Sequence, residues 1–231
     1  MKNKLIIAPR FCGPSNSGNG GYVCGRLANH VDYIAEVTLC QPPPLSTEME
    51  VVVEEESLQL IYTNKIVATV RPGTIDFTAP QAPDFDTAIE VSKNYVGFTK
   101  HPYPHCFVCG PQRDSPDALC IFPGKTPDGK MIAAPWVPDE LLSDGKGYVK
   151  NEFIWSALDC PGGLLFLEES NKILLGRMTA HPKHKIGINE KCVVIGWIKG
   201  KDGRKFYSGT AIYSETQGLC AVASSIWIDS K

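Results

Sequence analysis

Two diglycines, one carboxylate and two amides are the residues of this sequence best suited to act on a carbonyl group. Adding water to a carbonyl requires polarisation of its oxygen and a base or orienter for the water. Unpaired backbone N–H groups at a helix N-terminus supply the first cheaply, because the helix dipole favours developing negative charge there. Glycine at such an entrance lets a ligand approach the backbone with no Cβ in the way. Gly20-Gly21 and Gly162-Gly163 fit this description, with each pair read as the entrance of a helix. The same residue type also serves close packing against a sheet, or a simple turn, and that reading stays open.

Asp159, three residues before Gly162, is the carboxylate placed to activate water, with Gly163 as the N–H donor beside it. Asp159 could equally cap its helix, since Asp before Pro161 is a good helix start. Asn16 and Asn19 stand near the first entrance, where amides orient water without accepting its proton. Asp32 is a second carboxylate in reach of the first helix and reads better as a solvated residue at its end. The run His101-Pro102-Tyr103-Pro104-His105-Cys106-Phe107-Val108-Cys109 has metal-ligand spacing at Cys106 and Cys109, with His101 or His105 as further donors. No second paired motif follows, only Cys120, so no metal and no cofactor is expected.

Composition narrows the classes. With 231 residues, 43% of them hydrophobic and 21% charged, the chain can bury a sizeable core. The 23 basic and 25 acidic side chains leave a net charge of −2 with no block of one sign, which argues against nucleic acid or a membrane surface as partner. No run approaches the ~18 apolar residues of a membrane helix. The start, Met1 to Pro9, is basic, but its apolar run is too short for a signal peptide. Nine cysteines, an odd and scattered set, favour reduced thiols. A cytoplasmic location is expected. A Gly-x-Ser-x-Gly elbow and a phosphate-binding Gly-Lys-Ser/Thr loop are both missing, which disfavours serine hydrolases and nucleotide hydrolases.

The elements that must position these residues recur in order. Val23, Leu27, Val31 and Ile34 follow helical spacing after the first diglycine. Strand-like runs follow at 35–40, 48–53, 58–62 and 65–70, the last two meeting at a Thr63-Asn64 turn. The second diglycine leads into Leu164-Leu165-Phe166-Leu167. Strand-like runs then stand at 173–179, 192–198, 206–213 and 219–228. Prolines crowd residues 72–105, where Ile89 to Phe98 is read as a last strand for the first half. Two α+β repeats are expected, residues 1–100 with the Pro-rich crossover and residues 101–231.

This arrangement resembles the double hotdog proteins of the acyl-CoA thioesterase superfamily, in particular a bacterial thioesterase-like group. The likeness rests on Asn16-Ser17-Gly18-Asn19-Gly20-Gly21-Tyr22, Cys106-Phe107-Val108-Cys109-Gly110, Ile121-Phe122-Pro123-Gly124 and Trp155 through Gly163. It implies two antiparallel sheets, each wrapped around a helix, and hydrolysis of a small CoA-linked acyl thioester with a carboxylate such as Asp159 as base or nucleophile. Thr179 would be a further orienter of water, although it is also an ordinary strand threonine. Under this resemblance Gly20, Gly21, Gly162, Tyr22, Trp155 and Arg177 would bind substrate, with Phe166 beside the acyl slot and Arg26 near the CoA phosphates. One chain would suffice, and homodimer formation is compatible with it. The other reading is a hotdog protein that binds an acyl or aromatic ligand without turning it over.

Overall fold

The computed structural model describes residues 3–55, 57–170 and 172–230. Met1 and Lys2, the opening of the basic start, lie outside the described residues. In chain order the elements are β1 (Asn3–Ile6), α1 (Gly20–Ala28), β2 (Ala35–Leu39), β3 (Glu48–Val53), β4 (Leu58–Tyr62), β5 (Lys65–Pro72) and α2 (Phe85–Ser92). They continue with β6 (Gly124–Lys125), β7 (Ile132–Trp136), α3 (Asn151–Leu164), β8 (Ile173–Pro182), β9 (Cys192–Asp202), β10 (Lys205–Ser214) and β11 (Gly218–Asp229).

The strands form one antiparallel sheet in the order β1-β3-β4-β5-β2-β8-β11-β10-β9-β7-β6. Reading outward from the centre, β2-β5-β4-β3 on one side is matched by β8-β11-β10-β9 on the other, and each set follows a helix in the chain. The seam is β2 against β8, with Val37 opposite Met178. Thr63 and Asn64 both take positive φ, 46° and 61°, as the two-residue turn between β4 and β5 requires.

Strands of the first set alternate as a half-buried sheet should: Met49 and Val51, then Leu58 and Leu60, point inward. In β9 the alternation is lost and Cys192–Gly196 are all buried. The segment read as a last strand for the first half accounts for this. Residues 85–92 are helix α2 and 96–98 a 3-10 turn. Asp84 caps α2 by accepting a hydrogen bond from the Thr87 N–H at 2.7 Å, and Ala88 and Val91 face inward. With Ile75 and Phe77 they cover the outer face of the second set, packing over Ala133, Val193, Ile195 and Ala211. A strand paired to the first half would have left that face bare.

α1 ends at Ala28, so Val31 and Ile34 of the expected stripe lie beyond it. α3 differs more. Gly162 and Gly163 close it rather than open it, and Pro161 sits in its last turn. The two helices cross at glycines of α1. A Cβ on Gly21 would stand 2.5 Å from the Asp159 Cβ and 2.6 Å from the Trp155 carbonyl oxygen. One on Gly25 would stand 2.6 Å from the Glu152 Cα. Two backbones therefore meet at positions 21 and 25, one turn apart on α1.

Gly25→Ala sets two effects against each other. Alanine favours the helix by about 1 kcal/mol, but overpacking against backbone that cannot rotate away costs about 1–3 kcal/mol. The clash is the larger effect, so the urea midpoint of Gly25→Ala falls below that of the unaltered protein. An equal or higher midpoint would show that the helices part freely.

Candidate active site

Asn19 is the N-cap of α1, and its Oδ1 accepts from the Tyr22 N–H at 2.9 Å. Its own N–H donates to the Phe11 carbonyl at 2.8 Å, which fixes the cap to the preceding loop. The other end of the amide, Nδ2, donates to Asp159 Oδ2 at 2.9 Å, and the Gly21 N–H donates to the same oxygen at 2.8 Å. Asp159 thus reaches from the ninth of the fourteen residues of α3 to the positive end of α1. Both Asp159 and Asn19 are only 2% exposed. Asp159 Oδ1 is buried with no hydrogen-bond partner among the described residues.

Burial raises the Asp159 carboxyl most strongly. The Gly21 N–H opposes the rise, negative charge on Cys106 adds to it, and Asn19 opposes it. The outcome is a pKa of about 7, a carboxyl that holds and releases a proton near neutrality.

A cavity of about 500 Å³ opens beside this pair. Its polar end carries Asn16, Asn19, Gly20 and Asp159, and its wall is mainly apolar, with Leu164, Leu167, Leu174, Leu175, Trp227 and Ile228. Gly20 heads α1, and its N–H has no acceptor among the described residues. It is the free donor that a carbonyl oxygen would meet at the dipole's positive end.

The same cavity is lined by His101, Cys106, Cys109 and Cys160. The three sulfurs lie within 4.8 Å of one another, with Cys106 and Cys160 3.6 Å apart. His101 Nε2 is 3.3 Å from Cys109 Sγ. Cys160 is the member that sequence reading missed. It follows Asp159 in the chain and joins the Cys106-x-x-Cys109 loop only in three dimensions.

Asp159, Asn19, Asn16, Gly20 and Gly163 are therefore gathered at one cavity, and several other expected residues are not. Gly163 touches the cavity, but it lies at the negative end of α3 and cannot polarise a carbonyl as a helix entrance would. Gly162 and Gly163 make room for the Trp227 indole: Cβ atoms there would lie 3.1 and 2.7 Å from its ring. Gly21 is not a cavity residue, because its N–H is committed to Asp159. Tyr22 stacks on Phe11 at 4.1 Å in an aromatic cluster with Phe107 and Phe153. Its hydroxyl accepts a hydrogen bond from Arg26. Trp155 is buried between the helices at Gly25, and Phe166 packs on Phe206.

Arg177 and Thr179 belong to the seam of the sheet. Arg177 Nε donates to Thr38 Oγ1 at 2.9 Å and Thr179 Oγ1 to Glu36 Oε2 at 3.3 Å, while Glu36 also pairs with Arg71. Asp32 is exposed beyond the end of α1.

No family model matches the sequence, and no curated protein matches it. Solved structures do resemble it along its whole length. A candidate thioesterase from Novosphingobium aromaticivorans superposes with a TM-score of 0.66 at 10% identity, covering 100% of this chain and 96% of the other. A conserved protein with a hot dog fold from Alicyclobacillus acidocaldarius gives 0.63 at 10% identity, covering 100% and 93%. A tesB protein from Mycobacterium avium subsp. paratuberculosis gives 0.63 at 8% identity, again covering 100% and 93%. At such identities the likeness speaks to architecture, and that architecture is the hotdog fold.

Proposed function

We propose that the protein is an acyl-CoA thioesterase built from two hotdog repeats in one chain, divided near residue 100, with its reaction centre at the entrance of α1. The observation that carries this reading is the meeting of a buried carboxyl, a capping amide and an unpaired helix N–H at one end of an apolar cavity. The substrate carbonyl oxygen accepts from the Gly20 N–H, where the helix dipole favours the charge that develops during attack. Asp159 takes a proton from the attacking water through Oδ1, the oxygen left without a protein partner. Asn19 holds Oδ2 and so sets the direction of Oδ1. The acyl group lies along Leu164, Leu174, Leu175 and Ile228, which exclude bulk water. The thiolate then leaves toward the open side, and Asn16 is placed to orient water at the rim.

Several neighbours in structure carry thioesterase names, which supports the reaction class. Both repeats contribute to the one cavity, so a single chain holds the whole constellation.

Asp159→Asn keeps the shape and offers an oxygen to both donors, yet it cannot accept the water's proton. Turnover of the best substrate in an acyl-CoA panel should fall by about 10²-fold or more, with circular dichroism unchanged. Full turnover in the variant would remove Asp159 from the reaction. Thermal stabilisation by acyl-CoA with no product from the unaltered protein would support a binding protein instead.

Asn19→Ala tests the positioning role separately. Losing an N-cap costs about 1 kcal/mol of stability. It also removes one of the two donors that hold Asp159 Oδ2, so kcat should drop about tenfold or more while KM changes little. A change confined to stability would make Asn19 a cap alone.

A further inference from the structure

We infer that Cys106, Cys109 and Cys160 form a zinc site in the wall of the cavity, with three thiolate ligands and the fourth position facing the cavity. The first observation is distance. Zn–S bonds near 2.3 Å at tetrahedral angles place sulfurs about 3.8 Å apart, and Cys106 and Cys160 stand at 3.6 Å with Cys109 in the same cluster.

The second observation is a loop shaped to present sulfur. The Gly110 N–H donates to the Cys106 carbonyl at 3.0 Å, closing a tight turn over Cys106-Phe107-Val108-Cys109. A Cβ on Gly110 would stand 2.5 Å from the Cys106 nitrogen, so only glycine fits.

Zinc would displace the thiol protons, which pass to the buffer, leaving three thiolate sulfurs on one cation.

His101 completes the surroundings. Its Nδ1 accepts from the Tyr103 N–H at 2.9 Å, which leaves the ring proton on Nε2, directed at Cys109 Sγ. Asn19 Nδ2 lies 3.7 Å from Cys160 Sγ and 3.9 Å from Cys106 Sγ, a further donor beside the sulfurs. Soft thiolate ligands select zinc over magnesium or calcium. Three protein ligands with one open position is the arrangement of sites that bind a small molecule at the metal.

Metal analysis of the protein, prepared reduced from zinc-supplemented medium and dialysed, tests this directly. About one zinc per chain is expected, falling below about a tenth in Cys106→Ser, Cys109→Ser or Cys160→Ser. Cys40→Ser, at an exposed cysteine outside the cluster, should keep its zinc. Should the cluster variants fail to fold, Co²⁺ added to the unaltered metal-free chain gives an independent reading. A thiolate-to-cobalt band in the near ultraviolet together with tetrahedral bands in the visible supports the site. The proposal is overturned by an unaltered chain with free thiols that holds neither zinc nor cobalt, by copper or iron in zinc's place, or by a Cys106–Cys160 disulfide in the reduced preparation. None of these readouts depends on thioesterase turnover.

Discussion

The contact on which the site depends is the one between the first turn of α1 and the middle of α3. Glycine at position 21 removes the only atom that would hold the helices apart there, and Asp159 occupies the space gained. The same closeness brings its carboxyl to the Gly21 N–H and away from water. Two effects then act on one group: dehydration disfavours its charge, while the helix terminus and Asn19 favour it. Dehydration is the stronger of the two, and it leaves the carboxyl pushed up to about 7. A buried carboxyl held in this state is a poor source of stability, because an apolar residue of similar volume would carry no dehydration cost. That cost accords with the role proposed for it.

The two halves of the sheet share one order of connections, yet they do not offer equivalent sites. The place that corresponds to the α1 entrance is the start of α3, where the opposing helix contributes Asn29 instead of an aspartate. There Asn29 Nδ2 donates to Glu152 at 3.0 Å, and Asn151 Nδ2 donates to Asn29 Oδ1 at 2.8 Å, both on the exposed surface. Lys150, the residue capping α3, makes no side-chain capping bond. Lys183 and Lys185 line the shallow opening beside it. The same order of connections thus frames a dry, buried centre on one side and a wet, polar surface on the other.

Much of this was legible in the chain. The strand-like runs at 35–40, 48–53, 58–62 and 65–70 and the Thr63-Asn64 turn match the first four-strand set to within two residues. Asp159, Asn19 and Gly20 were marked by type and by their nearness to glycine. What misled was Pro161-Gly162-Gly163. Proline favours a first helical turn, so the triplet read as an entrance. The apolar spacing of Phe153, Ile154, Ala157 and Leu158 upstream was the better signal, and it places the glycines at the end, where they receive Trp227. α2 was hidden by surrounding prolines, although Asp84 before Phe85 is a good cap. Convergence across distant elements leaves no local trace, which is why Cys160 did not declare itself beside Cys106 and Cys109.

The sulfur loop also shows how the cavity keeps its shape. The Phe107 N–H donates to the Cys12 carbonyl at 2.8 Å, and Leu119 and Ile121 donate to the Phe107 and Val108 carbonyls at 2.9 Å. Arg113 reaches back to the Arg10 carbonyl at 2.6 Å and pairs with Asp117. Phe107 itself is fully buried against Phe11 and Tyr22. Backbone bonds, a guanidinium and an aromatic cluster therefore fix the loop to the segment that leads into Asn19, independently of the three sulfurs. An ion at those sulfurs would adjust the loop against α3 at Cys160, one residue from Asp159. Its influence would fall on the chemistry of the cavity more than on the fold that encloses it.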